Sequence, residues 1–240
     1  MPSSNQLSGF YGDRKNDFDA QCKDIEGRIR VISWIRVSLA LGVIILGYFA
    51  IKVAMLWILF AGALLAFAWF VREHGRLNNR RKLLQNLATI NAHELKALDG
   101  DHSAFQDGVE FVDSHHPYTL DLDIFGSGSL FQRFNRTCTE QGKERLASIL
   151  SNPLRSMTEI AERQKAVAEL KSMVDYRQEF QAIGMIAPER KTDQQEILDW
   201  LKLPTFVFGK REKIWMLIAF PVVALCCLIY WIATGVAGPF

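Results

Sequence analysis

The residue types best suited to chemistry lie in the middle of the chain, between positions 115 and 143. His115 and His116 are followed by Asp121 and Asp123, and imidazole and carboxylate groups are common ligands of divalent metals. The four residues lack the fixed spacing of a CxxC or HExxH site. A loop is therefore the preferred interpretation of this segment, and no metal ligand is predicted.

Two glycine-containing stretches have the composition of phosphate-binding loops. The run Gly126-Ser127-Gly128-Ser129 is not followed by GK[ST] at the required distance, and Gly142-Lys143 is followed by Glu144. Both therefore fail the P-loop pattern. A nucleophile elbow is also missing, as is an ordered Ser, His and Asp set. The sequence predicts no catalytic and no cofactor-binding residue, which argues against a soluble enzyme.

Composition narrows the function classes further. The formal net charge is only +2, too small to indicate a nucleic-acid partner by itself. The four cysteines have no disulfide-framework or metal-site spacing: Cys22, Cys138, Cys226 and Cys227. A reducing compartment without disulfides is the simplest interpretation.

Three long apolar runs indicate a membrane protein. The first, residues 31–51, is about 31 Å long as a helix, which matches a hydrocarbon core of roughly 30 Å. A second run, residues 53–71, follows after Lys52 alone, so the two predict an antiparallel transmembrane hairpin. Arg36 lies one turn inside the first run, from where its side chain can reach the headgroups. The third run covers residues 214–236.

Basic residues predict the orientation of these runs. Positive charge flanks both ends of the hairpin, whereas Lys52 alone marks its turn, and Lys210, Arg211 and Lys213 precede the third run. By the positive-inside rule, residues 1–30 and 72–213 are cytoplasmic. The prediction is a protein integral to the cell (inner) membrane, with the lipid bilayer as its first partner.

The charged part of the chain is predicted to be mainly helical. Leucines from Leu77 to Leu98 recur at helical spacing, so the second membrane helix should continue as an amphipathic helix and end at Asp99-Gly100, within a juxtamembrane segment of residues 72–106. Its arginines are interpreted in three ways: as a contact with acidic lipid, as a solvated face or, less well, as a DNA contact. They are Arg76, Arg80 and Arg81.

Residues 107–213 are predicted to form a cytoplasmic domain. Short extended segments are expected at 108–112 and 118–125. Capping-box patterns then start helices at Thr137 to Glu140 and at Ser156 to Glu159, and Pro153 ends the first of them. Apolar stripes on both helices predict that they pack into the domain. The fold class is thus mainly α, with a transmembrane hairpin, a helical domain containing a short extended part, and a further transmembrane helix.

Fixed spacings within this domain resemble the start of the core, or lever, domain of MutS-type DNA mismatch-repair proteins. The pattern is Leu-x5-Arg-Thr-x-Thr-x-x-Gly, a helix that ends at a proline, and then Ile-x-x-Arg-Gln-x-Ala-Val. The resemblance covers about residues 107–180. The motif positions for which a structural role is expected are Arg136, Thr137, Thr139, Gly142, Pro153, Arg163 and Gln164.

Each motif residue also has a purely architectural interpretation. Thr137 and Thr139 are candidate helix caps, and Gly142 would permit close packing in the first helical turn. Arg163 and Gln164 could hydrogen-bond to neighbouring helix ends or loops. None of these roles requires a ligand.

The resemblance implies a membrane-bound branch of the MutS-like family. ATPase activity, with ATP and Mg²⁺ as cofactors, is implied only for a downstream domain that carries a Walker loop, and the chain is expected to be the first portion of such a protein. A homodimer is left open. DNA binding is implied for the complete protein, whereas this chain is expected to bind duplex DNA weakly.

Two functions remain after this comparison. The first is a membrane-anchored MutS-like scaffold whose complete form is expected to bind ATP, with DNA binding left open. The second is a membrane adaptor that uses the helical platform to bind a protein. A transporter subunit is a weaker third option, because the membrane runs contain no polar pathway beyond Arg36.

Overall fold

The computed structural model of the protein describes residues 3–53, 55–187 and 191–203, together with the single residues Ala219 and Val223. The described residues contain helices and turns but no strand, so the mainly α fold class is confirmed. The helices are α1 (Ser4–Ala50), α2 (Leu56–Leu98), α3 (Leu130–Phe134), α4 (Glu140–Ser151), α5 (Met157–Ser172), α6 (Val174–Gly184) and α7 (Lys191–Lys202).

The chain divides into two compact units, residues 1–189 and 190–240. Helices α1 to α6 belong to the first unit. The second contains α7, on which Ile197, Trp200 and Leu201 are mostly exposed. The third hydrophobic run, at 214–236, lies outside the described residues apart from Ala219 and Val223, so it stays a prediction.

Helices α1 and α2 form one long antiparallel hairpin. Gly47 lies against the ring of Phe60 near the turn, and Ser33 faces His74 about three to four turns further from it. At 1.5 Å per residue, the 47 residues of α1 extend for about 70 Å. Length and composition allow both helices to cross a membrane.

α1 begins much earlier than its apolar run. Ser3 and Gln6 form a reciprocal capping box, in which each side chain accepts a hydrogen bond from the other residue's backbone N–H. Residues 4–30 were predicted only as a polar cytoplasmic segment, but they continue the helix without a break. Intrahelical ion pairs such as Lys15–Asp19 contribute to this stretch.

α2 ends where the sequence predicted. Its last helical residue is Leu98, and Asp99 is the C-cap. Gly100 follows with a φ of 88°, a left-handed conformation that glycine adopts without steric penalty. Helix propensity and a local stop signal were sufficient to predict this end.

The hairpin has two halves of opposite character. In the apolar half, residues 31–71, the most hydrophobic window of each helix has no buried residue. In the polar half, residues 4–30 and 72–98, one hydrophobic cluster joins α1, α2 and α6. Its buried members are Cys22, Leu84, Leu87, Ile90 and Ala182.

The loop between α2 and α3 contradicts the predicted extended segments. Val109–Phe111 is a single 3-10 turn, and residues 118–123 form consecutive turns. The aromatic rings of Phe111, Phe125 and Phe131 converge with centroids 5.5–5.8 Å apart. Short apolar runs without a partner strand gain more from one shared cluster than from an extended backbone.

Gly108 shows how tightly this loop is built. Its φ is 69°, and a Cβ atom there would lie 2.7 Å from the Phe131 ring. Both the backbone conformation and the space therefore require glycine at this position.

α4 and α6 bury residues against their surroundings, whereas α5 buries none within the described part of the chain. α4 buries Ala147 and α6 buries Ala182. No residue of α5 is buried by the described part of the chain. The predicted packing of the stripe containing Val167 is not found among the described residues, where Val167 remains 61% exposed, so it stays a prediction for α5. An apolar stripe predicts that a helix face is buried, but it does not identify the segment that packs against it.

Candidate functional site

Arg136 connects the loop before α4 to the hairpin. Its Nε and Nη2 atoms donate to the two carboxylate oxygens of Glu94 on α2, at 2.6 and 3.1 Å. The guanidinium carbon lies 3.6 Å from the centre of the Phe105 ring, and Nη1 donates to the carbonyls of Arg133 and Asn135. A planar, bidentate and stacked arginine fixes both position and orientation.

Asn135, Thr137 and Thr139 shape the turn into α4. The side-chain oxygen of Asn135 accepts from the backbone N–H and the hydroxyl of Thr137, at 3.0 and 2.6 Å. The Thr139 hydroxyl accepts from the N–H of Gly142 at 3.1 Å and caps α4. The predicted capping box beginning at Thr137 is therefore wrong by two residues, because Thr137 is already engaged by Asn135.

Gly142 has the close packing that was predicted for it. A Cβ atom at this position would lie 2.9 Å from the Thr139 hydroxyl. Any larger residue would therefore press on the hydroxyl that caps the helix. The motif's second threonine and its glycine work as one unit.

Lys143 is a buried cation that sequence reasoning missed. Its Nζ lies 2.9 Å from Glu110 and 3.0 Å from Glu140, and only 7% of its side chain is exposed. Burial lowers the pKa of Lys143, but the hydrogen bonds to Glu110 and Glu140 outweigh it, so the pKa is raised. The three-residue spacing of Glu140 and Lys143 was the only local signal, and Glu110 could not be paired with them from sequence.

Pro153 and Ser156 lie at helix boundaries. α4 ends at Ser151 as Pro153 predicted, and the Tyr118 hydroxyl lies within hydrogen-bond distance of the last carbonyls, Leu150 O and Ser151 O. Ser156 occupies the N-cap of α5 without a side-chain bond.

The histidine segment is a turn. The Nδ1 atom of His116 accepts hydrogen bonds from the backbone N–H groups of Tyr118 and Thr119, at 3.4 and 3.3 Å. The loop interpretation of this segment is thereby supported. Among the described residues, no group of three His, Cys, Asp or Glu side chains could hold a metal ion.

A buried polar network joins α1, α2 and α6. Asn91 and Gln178 exchange two amide hydrogen bonds of 3.1 and 3.0 Å, and both are almost fully buried. Arg14 donates to Gln178 and to Asp175, the latter at 2.6 Å. Asn86 donates to the carbonyl of Ala182. These partners are far apart in sequence, so no local pattern indicated them.

Arg163 and Gln164 make no side-chain hydrogen bond within the described part of the chain. Both lie on α5, where Gln164 is exposed and Arg163 is half-buried. The predicted bonds to neighbouring helix ends are therefore not found among the described residues. Their role in the motif has no explanation in these contacts.

Two cavities flank Arg136. The larger is a groove of about 500 Å³ lined on its polar side by Tyr11, Glu94 and Arg136, and on its apolar side by Leu170 and Phe180. Burial, followed by the nearby Glu94, raises the pKa of Tyr11.

The smaller cavity, of about 160 Å³, is lined in part by His93 and Phe105. Burial, followed by the nearby Lys96, lowers the pKa of His93. Glu94 and Arg136, which line both cavities, pair with each other, so the geometry is that of a joint between segments.

The comparisons with known proteins bear on the segment that this joint holds. Residues 115–203 match the sequence model of MutS domain III. This segment is MutS-related. The MutS domain III segment contains all seven motif residues, which confirms the resemblance and shifts its bounds from the expected 107–180. Searches among curated proteins and among solved structures gave no match.

The hydrogen-bonded joint is therefore the place where the MutS domain III segment meets the helical hairpin. Arg136 and Gln178 lie inside the segment, whereas Glu94, Asn91 and Arg14 lie outside it. Of the motif residues, Arg136 makes the contact that crosses this boundary through a charged pair.

Proposed function

We propose that the protein is a membrane-anchored MutS-like scaffold, in which the hairpin is the anchor and the MutS domain III segment is held on it as a lever. The observation that carries the proposal is the contrast between the two halves of the hairpin. Trp34, Ile58 and Leu65 in the apolar half are 70–76% exposed, whereas Leu84 and Ile90 in the polar half are buried against other helices.

Exposed apolar surface on this scale needs a partner. Monomeric soluble proteins rarely expose contiguous apolar patches of more than a few hundred Å². The apolar half is exposed on both helices and has the length of a hydrocarbon core. Lipid satisfies such a surface on all sides, and the basic residues at its base favour a cytoplasmic polar half.

The proposed role of the chain is mechanical. The joint of Arg136 with Glu94 and of Gln178 with Asn91 would hold residues 115–189 of the MutS domain III segment at a fixed angle to the hairpin, and hence to the bilayer. Movement of the segment would then be transmitted along α2. ATP and Mg²⁺ binding, and DNA binding, are proposed only for the complete protein, and no residue of this chain is proposed to be catalytic.

Membrane extraction and topology labelling test the proposal together. The 240-residue chain is expected to stay with membranes after alkaline carbonate washing. Single cysteines placed at exposed Ser103 and Ser127, in a variant with the four native cysteines replaced by serine, should react with a membrane-impermeant maleimide only after the cytoplasmic face is opened. A monodisperse protein in buffer without detergent would refute the anchor.

A second candidate is a membrane adaptor that binds a protein partner. It is favoured by the outer face of α6, where Tyr176, Phe180 and Ile183 are 55–65% exposed at helical spacing. The reading frame of the gene distinguishes the two candidates. A frame that continues past Phe240 into a GxxxxGK[ST] motif supports the scaffold of an ATPase. A natural stop at Phe240 favours the adaptor.

A further inference from the structure

Four arginines lie at one level of the hairpin. The Ser33 hydroxyl on α1 and the His74 ring on α2 are 3.5 Å apart and mark this level. Arg30 and Arg36 are three residues to either side of Ser33, and Arg72 and Arg76 are two residues to either side of His74. At about 1.5 Å per residue, all four lie within roughly 4.5 Å of this level along the axis.

Three of these arginines have no counter-ion among the described residues. Glu73 is the only carboxylate within residues 30–36 and 72–76, and it binds Arg76 through two hydrogen bonds of 2.8 and 2.6 Å. Within the described part of the chain, Arg30, Arg36 and Arg72 form no ion pair. We call these three residues the arginine band.

Arg36 departs from the behaviour of a solvated surface arginine. Its Nε atom is buried and has no hydrogen-bond partner in the described structure. Its neighbours Trp34 and Val37 are large, apolar and more than half exposed. A guanidinium that keeps an unsatisfied donor beside exposed apolar side chains is suited to an anionic acceptor that itself carries a hydrophobic part.

The arginine band also coincides with the boundary between the two halves of the hairpin. Trp34, within the band, and Trp69, on its apolar side, are 60–70% exposed, as residues of a membrane interface are. On the other side, Leu77 is buried in protein. The band is therefore at the depth where a bilayer places its phosphate groups if the hairpin is the anchor.

We propose that the arginine band binds the phosphate groups of anionic phospholipids in the cytoplasmic leaflet. The inference rests on the proposed function, since it requires the apolar half to be in lipid. Guanidinium groups bind phosphate oxygens in a bidentate manner, and an anionic leaflet concentrates such groups at this depth. Duplex DNA is disfavoured as the ligand because its phosphates have no hydrophobic part to cover Trp34 and Val37.

Lipid binding to the full chain in nanodiscs tests the proposal. The probes are nanodiscs of phosphatidylcholine alone and of phosphatidylcholine with one quarter phosphatidylglycerol, and native mass spectrometry counts the lipids retained by the released protein. We expect a retention preference for phosphatidylglycerol on the order of tenfold at low salt, decreasing as salt is raised. The triple variant Arg30→Gln, Arg36→Gln, Arg72→Gln should lose it.

A matched triple variant separates the band from net charge. Arg155→Gln, Lys165→Gln, Lys171→Gln removes the same charge from exposed positions of the MutS domain III segment and should keep the preference. If the chain inserts but both variants lose the preference equally, or the wild type shows no preference, lipid binding by the arginine band is overturned. If the chain inserts in neither nanodisc, the proposed membrane anchor is refuted. Tight binding of a DNA duplex that only the band variant loses would also overturn the lipid assignment.

Discussion

The two halves of the hairpin share their helices but differ in what covers them. In the apolar half, Leu41 and Leu65 are 58% and 73% exposed, and within the described part of the chain one neighbouring helix shields each. In the polar half, α6 adds a third helix, and the buried residues include Asn91 at 0% exposure. A surface that lipid is to cover can be uniformly apolar. A surface that protein covers uses polar pairs to select one partner and one register.

The largest expected effect comes from charging the apolar half. Leu41→Lys with Leu65→Lys would place two charges near the middle of the predicted bilayer, at roughly 2.5–3.5 kcal/mol each. We expect most of the protein to leave the carbonate-resistant membrane fraction. The matched control, Asn79→Lys with Thr89→Lys, places the same charges on exposed positions of the polar half and should remain in the membrane. Equal extraction of both would contradict the contrast.

The second largest effect is expected from removing a buried polar pair in the polar half. Gln178→Ala would leave the buried side-chain oxygen of Asn91 without its donor, although the Asn91 amide keeps its bond to the Leu87 carbonyl. An unsatisfied buried group costs about 1–3 kcal/mol. The midpoint of unfolding in detergent, followed by circular dichroism, should fall, and the amides of α6 should exchange faster. Gln164→Ala, at an exposed residue without side-chain hydrogen bonds, should stay within about 0.5 kcal/mol. A Gln178 variant as stable as the Gln164 variant would argue against the network.

A smaller effect is expected at the charged pair of the joint. Arg136→Lys keeps the charge but loses the bidentate geometry and the stacking on Phe105. Because the pair is partly exposed, the expected loss is about 1 kcal/mol. Arg163→Lys is the control, since Arg163 has no such partner in the described structure. A double-mutant cycle of Arg136→Ala with Glu94→Gln that shows no coupling would remove this pair from the joint.

The smallest effect is a dependence on pH. Because the folded-state pKa of His93 is lowered from 6.5, the unfolded chain binds its proton more readily. The contribution of His93 to stability is complete above that value and is lost as the pH falls below it. Between pH 7 and pH 5, the unfolding midpoint of His93→Gln should therefore fall less than that of the wild type. Gln164→Ala, which removes no titratable group, should retain the wild-type slope.

Local signals predicted the parts of the fold that depend on neighbouring residues. Asp99 and Gly100 predicted the end of α2, Pro153 predicted the end of α4, and the leucine stripe predicted the burial of Leu77 and Leu84. The cap of α4 was misplaced because Asn135 competes for Thr137. The extended segments expected at 108–112 and 118–125 do not form, because the rings of Phe111 and Phe125 pack against Phe131, which lies outside both segments.

The sequence by itself determined that two apolar helices of membrane length adjoin in a hairpin, and that a MutS-like motif follows them. Both depend on composition, length and fixed spacing along the chain. Only the tertiary structure decided where that motif attaches. Glu94 is 42 residues from Arg136, and Arg14 is 164 residues from Gln178. In a sequence, a polar residue that becomes buried cannot be distinguished from one that stays in water. Folding removes water from the buried residue and brings it to one specific hydrogen-bond partner.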